Sequence, residues 1–130
     1  MAGDGPAAVH PLFAAARNRP EVAGPLADMV AAYPGQHWIG HDPHEETERR
    51  LIDVLPELAA PSLVIVGEQD VPGFREMSAV LARRIPGARY HVVAGAGHMV
   101  SMEEPAAVNA VLTRFLDELP PLAAAPVRTA

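Results

Sequence analysis

Two short apolar runs, each followed by an amphipathic helical stretch, constrain this 130-residue chain more than any other feature. The first, SLVIVG at 62–67, stays apolar up to Gly67 and reads as a buried strand. In FREMSAVLARRIPG, Phe74, Met77, Leu81 and Ile85 recur at spacings of three and four, with arginines elsewhere and a Pro-Gly stop, so a helix is predicted. ARYHVV at 88–93 is a second strand, ended by AGAG. PAAVNAVLTRFLDEL then sets Val108, Val111, Leu112, Phe115 and Leu119 on one stripe behind Pro105. Strands joined through a helix of this length need a crossover, which makes them parallel neighbours. Two short parallel strands form a marginal sheet, and parallel sheets are normally covered on both faces. The two strands therefore call for neighbours that the pattern of this chain does not supply.

Upstream, DPHEE offers Asp42 as a helix N-cap, Pro43 at the first helical position and Glu45 as capping-box partner. Leu51, Val54, Leu55 and Leu58 would share one face of that helix until Pro56 and Pro61 end it. In the first 41 residues, PLADMVAAY gives a helical stripe of Leu26, Met29, Val30 and Tyr33 after a Gly-Pro break, and PGQHWIGH is turn-rich. The closing PPLAAAPVRTA reads as a frayed tail over 120–130.

Charge and composition remove several classes of function. The net charge is −6, and all 10 basic residues are arginines scattered along the chain, so nucleic acid is not an expected partner. No apolar run approaches the ~18 residues of a membrane span. Without cysteine there is no disulfide framework or thiolate metal site. MAGDGPAAVHP has neither a basic start nor an apolar segment of the secretory kind, which makes the cytoplasm the expected location.

Chemistry in open parallel sheets gathers beyond the carboxyl ends of the strands. Asp70, in VGEQD, follows the first strand, and His98, in GAGH, follows the second; adjacent parallel strands would bring both to one rim. A carboxylate accepting the Nδ1 proton of an imidazole fixes the tautomer and leaves Nε2 as a general base. The same residues also fit a solvated turn aspartate and a histidine that merely precedes a helix, and spacing alone leaves both readings open. Trp38, Val71, Phe74 and Met99 are candidate pocket walls, and each, like Met102, is equally a packing residue. His37, His41 and His44 approach metal-ligand spacing, but Pro43 and the Asp42 cap interrupt any common helical face, so a solvated loop is expected and no metal. GAG is too short for a dinucleotide fingerprint, and no cofactor is expected.

Taken as a set, PSLVIVGEQD, the following helix, IPGARYHVVAGAGHMVSMEEP and the final VLTRFL resemble the end of the α/β-hydrolase fold family over residues 42–119. The resemblance implies an α/β fold: a partial α/β-hydrolase with parallel strands at about 62–67 and 88–93 flanked by helices, residues 1–41 resembling the remnant of a helical cap. It also implies that Asp70 is the acid and His98 the base of a Ser-His-Asp triad acting on an ester or related acyl small molecule. The family's nucleophile sits on a G-x-S-x-G elbow, and this sequence has none; its serines, Ser62, Ser78 and Ser101, do not match that position. The oxyanion-hole amide that follows the nucleophile is missing with it. The resemblance also implies that the preceding core strands are missing, which predicts an exposed apolar edge on SLVIVG and an expectation of self-association, aggregation or a partner chain. The expectation is a hydrolase segment, inactive alone, either truncated by a misplaced start at Met1 or serving beside a nucleophile-bearing chain. An aspartate nucleophile on that chain would suit the same acid and histidine. The alternative is a non-catalytic binding or interaction module that keeps the hydrolase tail for packing.

Overall fold

The computed structural model describes residues 10–35 and 50–120. The expected helix start at Asp42, the three-histidine loop, Trp38 and nearly all of the predicted tail lie outside these residues. The domain boundaries at 41 and 119 remain expectations.

The described chain is mixed α/β and mostly helical. A 3-10 turn at Pro11–Phe13 leads into α1 (Ala14–Arg17) and α2 (Pro20–Ala32). After the gap come α3 (Leu51–Val54), a 3-10 turn at Leu55–Glu57, β1 (Leu63–Gly67), α4 (Pro72–Arg84), β2 (Arg89–Val93), α5 (Val100–Glu103) and α6 (Pro105–Asp117). β1 and β2 form a two-stranded parallel sheet in register from Leu63 opposite Arg89 to Gly67 opposite Val93. The strand–helix–strand order and its parallel pairing thus agree with the hydrophobic pattern. Val66 and Val93 are buried, whereas Tyr90 and Val92 of β2 stay open to solvent.

Several sequence expectations shift in detail. Helix α2 does not break at Gly24-Pro25; it starts at Pro20 and runs through Pro25. A proline there removes the amide bond toward Glu21 and costs about 3 kcal/mol in a free helix. Val22 and Leu26, four residues apart on either side, are both buried and hold the helix together across it. On α4, Met77 is 49% exposed while Ser78 is buried, so the inward face runs through Phe74, Ser78 and Ile85. On α6, Leu112 is exposed and Phe115 half-buried beneath the Arg89 guanidinium, 5.5 Å from the ring centroid. Leu51 and Leu58, predicted to share an apolar face, are exposed among the described residues, because α3 lasts one turn before tightening into the 3-10 turn at Leu55. The short α5 was not expected; it fills the interval between His98 and the proline that starts α6.

A buried apolar cluster lies between the N-terminal helices and the segment after His98. Ala16, Val22 and Leu26 form a buried cluster against which Phe13, Val30, Met99 and Met102 pack. Residues far apart in sequence thereby join the His98 loop to the first helices.

Candidate active site

The loops beyond the two strand tips are tied together before any side-chain chemistry begins. The ladder continues past β1 through the Glu68 amide donating to the Val93 carbonyl at 2.9 Å, and the Gln69 amide donates to the Ala96 carbonyl at 2.8 Å. The Glu68 carboxylate accepts the Gly95 amide at 2.9 Å. Gly95 has φ of +70°, a conformation that costs an L-residue energy and that glycine adopts freely. Gly67 is needed for a different reason: a Cβ there would collide with the carbonyl oxygens of Gly97 and Ala96. The two glycines let the second loop fold down onto the tip of β1.

That approach brings Asp70 and His98 together. Nδ1 of His98 lies 3.1 Å from each carboxylate oxygen of Asp70. The Asp70 side chain is 6% exposed and that of His98 is 27% exposed. One Asp70 oxygen also accepts the Val71 amide at 2.7 Å, which fixes the carboxylate plane. Val71 caps α4, and one turn on, the Phe74 ring packs against the imidazole with centroids 4.4 Å apart and planes at 52°. A carboxylate facing Nδ1 stabilises the tautomer with its proton on Nδ1, so the lone pair resides on Nε2, across the ring from the contact.

Val71 and Phe74 therefore both bear on the pair, Val71 through its amide and Phe74 through its ring. Met99 and Met102 pack against the Ala16, Val22 and Leu26 cluster. Met99 also borders an open apolar cavity of about 440 Å³ shared with Leu12, Phe13, Met29, Val30 and Tyr33. Trp38 lies outside the described residues. Ser62 sits at the opposite, amino-terminal end of β1 and donates its hydroxyl to the Ala60 carbonyl. Ser78 is buried within α4, and Ser101 is exposed on α5.

Two residues that sequence reasoning missed shape the His98 loop. Glu103 is 3% exposed, and its carboxylate accepts the Gly97 amide at 2.6 Å and the Met99 amide at 3.0 Å. Arg19, between α1 and α2, donates to the Gly95 carbonyl at 2.9 Å, the Glu103 carbonyl at 2.6 Å and the Glu104 carboxylate at 2.6 Å. The hydrogen bond to Glu104 raises the Arg19 pKa above its usual value. The local signal for Glu103 was SMEEP, which marks a helix entrance and says nothing of a buried carboxylate. Among the described residues no group of three or more potential metal ligands converges. No described helix is long and apolar enough to cross a membrane.

No protein-family model matches the chain. A 64-residue segment, 49% of the chain, is 39% identical to part of polyketide synthase ThaQ of Burkholderia thailandensis, of which it covers 3%. Among solved structures, Est816, an N-acyl homoserine lactone degrading enzyme, shares 29% identity over 76% of this chain and 40% of its own, with a TM-score of 0.62. Rv0554 from Mycobacterium tuberculosis shares 26% identity over 81% of this chain and 39% of its own, with a TM-score of 0.57. The chain thus spans about two fifths of the length of these structural neighbours, both of the α/β-hydrolase class. A parallel strand pair with its crossover helix, carrying an aspartate and a histidine in contact beyond the strand tips, together with these neighbours identifies the architecture as a partial α/β-hydrolase fold.

Proposed function

We propose that this chain supplies the acid and the base of an acyl hydrolase, with Asp70 orienting His98 and His98 acting as proton carrier for a nucleophile borne elsewhere. The observation that carries this reading is the placement of His98 Nδ1 at 3.1 Å from both oxygens of a nearly buried carboxylate. In the assembled site, Nε2 takes the proton of the attacking hydroxyl and gives it to the leaving group, then takes a proton from water that hydrolyses the acyl enzyme and returns it to the nucleophile's oxygen. Asp70 stays ionised and stabilises the imidazolium that forms in each step. The substrate class is an ester or related acyl compound. The structural neighbour at TM-score 0.62 degrades N-acyl homoserine lactones, and a lactone is a cyclic ester, which supports that class.

The chain lacks a G-x-S-x-G elbow, and none of its three serines lies at a strand-to-helix turn beside His98. On this reading it does not turn over alone. It corresponds to the C-terminal part of the fold, and β1, paired with β2 alone among the described residues, offers its other edge for continuing the sheet into the nucleophile-bearing part.

The test combines the purified chain with a polypeptide that carries the serine elbow of an α/β-hydrolase, and follows p-nitrophenyl ester hydrolysis and labelling by a serine-reactive fluorophosphonate. The reading predicts hydrolysis by the mixture, its loss with His98→Ala, and no labelling of this chain alone. Labelling of this chain alone, or hydrolysis by the mixture that is indifferent to His98→Ala, overturns it. A mixture that forms a complex but hydrolyses nothing favours the non-catalytic interaction module.

A further inference from the structure

The two amides that flank His98 in sequence, those of Gly97 and Met99, both donate to one carboxylate, that of Glu103. Glu103 belongs to α5, the turn of helix that immediately follows, yet its side chain folds back beneath the loop and is buried. A buried carboxylate is costly unless its lone pairs are used, and here they are used by the backbone on either side of the histidine. Arg19 reinforces the arrangement from the other side. Its Nε lies 3.9 Å from the Glu103 carboxylate, while its other nitrogens bind the carbonyls of Gly95 and Glu103 and the carboxylate of Glu104. The fit around Gly97 is close: a Cβ at that position would meet the Ala15 methyl at 2.5 Å and a Glu103 carboxylate oxygen at 3.2 Å.

We propose that Glu103 is a positioning residue for His98, fixing the direction in which the imidazole leaves the backbone by gripping the peptide groups before and after it. Two amides held by one rigid acceptor define the backbone orientation at the residue between them, as a single hydrogen bond does not. The Asp70 contact then locks the ring, and Glu103 locks the backbone that carries it. Arg19, at the junction of α1 and α2, extends the grip to the N-terminal helices. The assignment rests on the reading of Asp70 and His98 as an acid–base pair, and it adds a residue that touches neither the substrate nor the imidazole.

The test is nuclear magnetic resonance on the full chain, reading amide exchange at Gly97 and Met99 and the imidazole nitrogens of His98 in Glu103→Gln, Glu103→Met and Asp70→Asn. Glutamine has the size of glutamate but only one acceptor oxygen, so a space-filling role survives Glu103→Gln and the two-amide grip does not. The proposal predicts at least tenfold faster exchange of one or both amides in Glu103→Gln, and mixed His98 tautomers in both Glu103 variants with the remaining spectrum unchanged. Unaltered exchange and tautomer in Glu103→Gln overturns it. Should the Glu103 variants unfold, the wild-type chain still decides: exchange at Gly97 and Met99 as fast as in an unstructured peptide overturns the proposal, and strong protection of both supports it. Asp70→Asn separates the two levels, because a His98 tautomer indifferent to that change defeats the acid–base reading itself, whatever Glu103 does.

Discussion

Replacing Gly67 by alanine tests how the two loops of the candidate site are brought together. The added Cβ would run into the backbone carbonyls of Gly97 and Ala96, which no side-chain rotation can relieve. Gly67 does not have positive φ, so the cost is steric and not conformational. Forcing one extra carbon into a packed site typically costs about 1–3 kcal/mol. Pushing the loop away also breaks the 2.8 Å bond from the Gln69 amide to the Ala96 carbonyl, a net loss of about 0.5–1.5 kcal/mol. The lower entropy of an unfolded alanine returns about 0.4–1 kcal/mol. The expected result is a net destabilisation of about 0.5–4 kcal/mol, centred near 2, read by urea unfolding monitored by circular dichroism. Gly73→Ala is the control, since a Cβ there meets nothing within 4 Å; it should leave stability unchanged or raise it by up to about 1 kcal/mol. If Gly67→Ala were as stable as the wild type, the loops would not approach as described, and the route by which His98 reaches Asp70 would have to be abandoned.

Other outcomes follow from the same geometry. In the reconstituted hydrolase, Asp70→Asn should lower kcat by about 10³- to 10⁴-fold with little change in KM, because it disturbs the tautomer and not the binding surface; steady-state ester kinetics measure this. Leu26→Ala, in the buried cluster shared with Met99 and Met102, should destabilise the chain by about 2–4 kcal/mol in the urea assay. Arg19→Met should increase hydrogen exchange across residues 10–35, since it cuts the bonds from that segment to Gly95, Glu103 and Glu104. Glu118→Gln, which removes the half-exposed pair with Arg89, should change stability by less than about 1 kcal/mol in low-salt unfolding.

The features legible in the sequence were those that depend on local period and on topology. Apolar runs of strand length alternating with helical stripes gave β1, α4, β2 and α6, and the crossover rule gave their parallel pairing. Asp70 and His98 could be placed at one rim because parallel neighbours share a direction. What stayed hidden depends on contacts between distant segments. The Gly24-Pro25 pair looks like a break until Val22 and Leu26 are seen to be anchored by Ala16 and the methionines after His98. Met77 has the right spacing for the core of α4, yet Ser78 takes the inward position, a rotation of the helix that no local pattern records. SMEEP marks only a helix entrance; the burial of Glu103 depends on Gly97, Met99 and an arginine 84 positions earlier. Glu68 likewise appears as a turn residue and proves to hold the Gly95 amide.

In the proposed acid–base pair Asp70 holds the proton of His98 at Nδ1, and a ¹H–¹⁵N imidazole spectrum of the labelled chain tests this without need of a nucleophile. A slowly exchanging, strongly deshielded proton on His98 Nδ1 that disappears in Asp70→Ala is the predicted result. An imidazole in rapid exchange with solvent at both nitrogens, unchanged by Asp70→Ala, would contradict it.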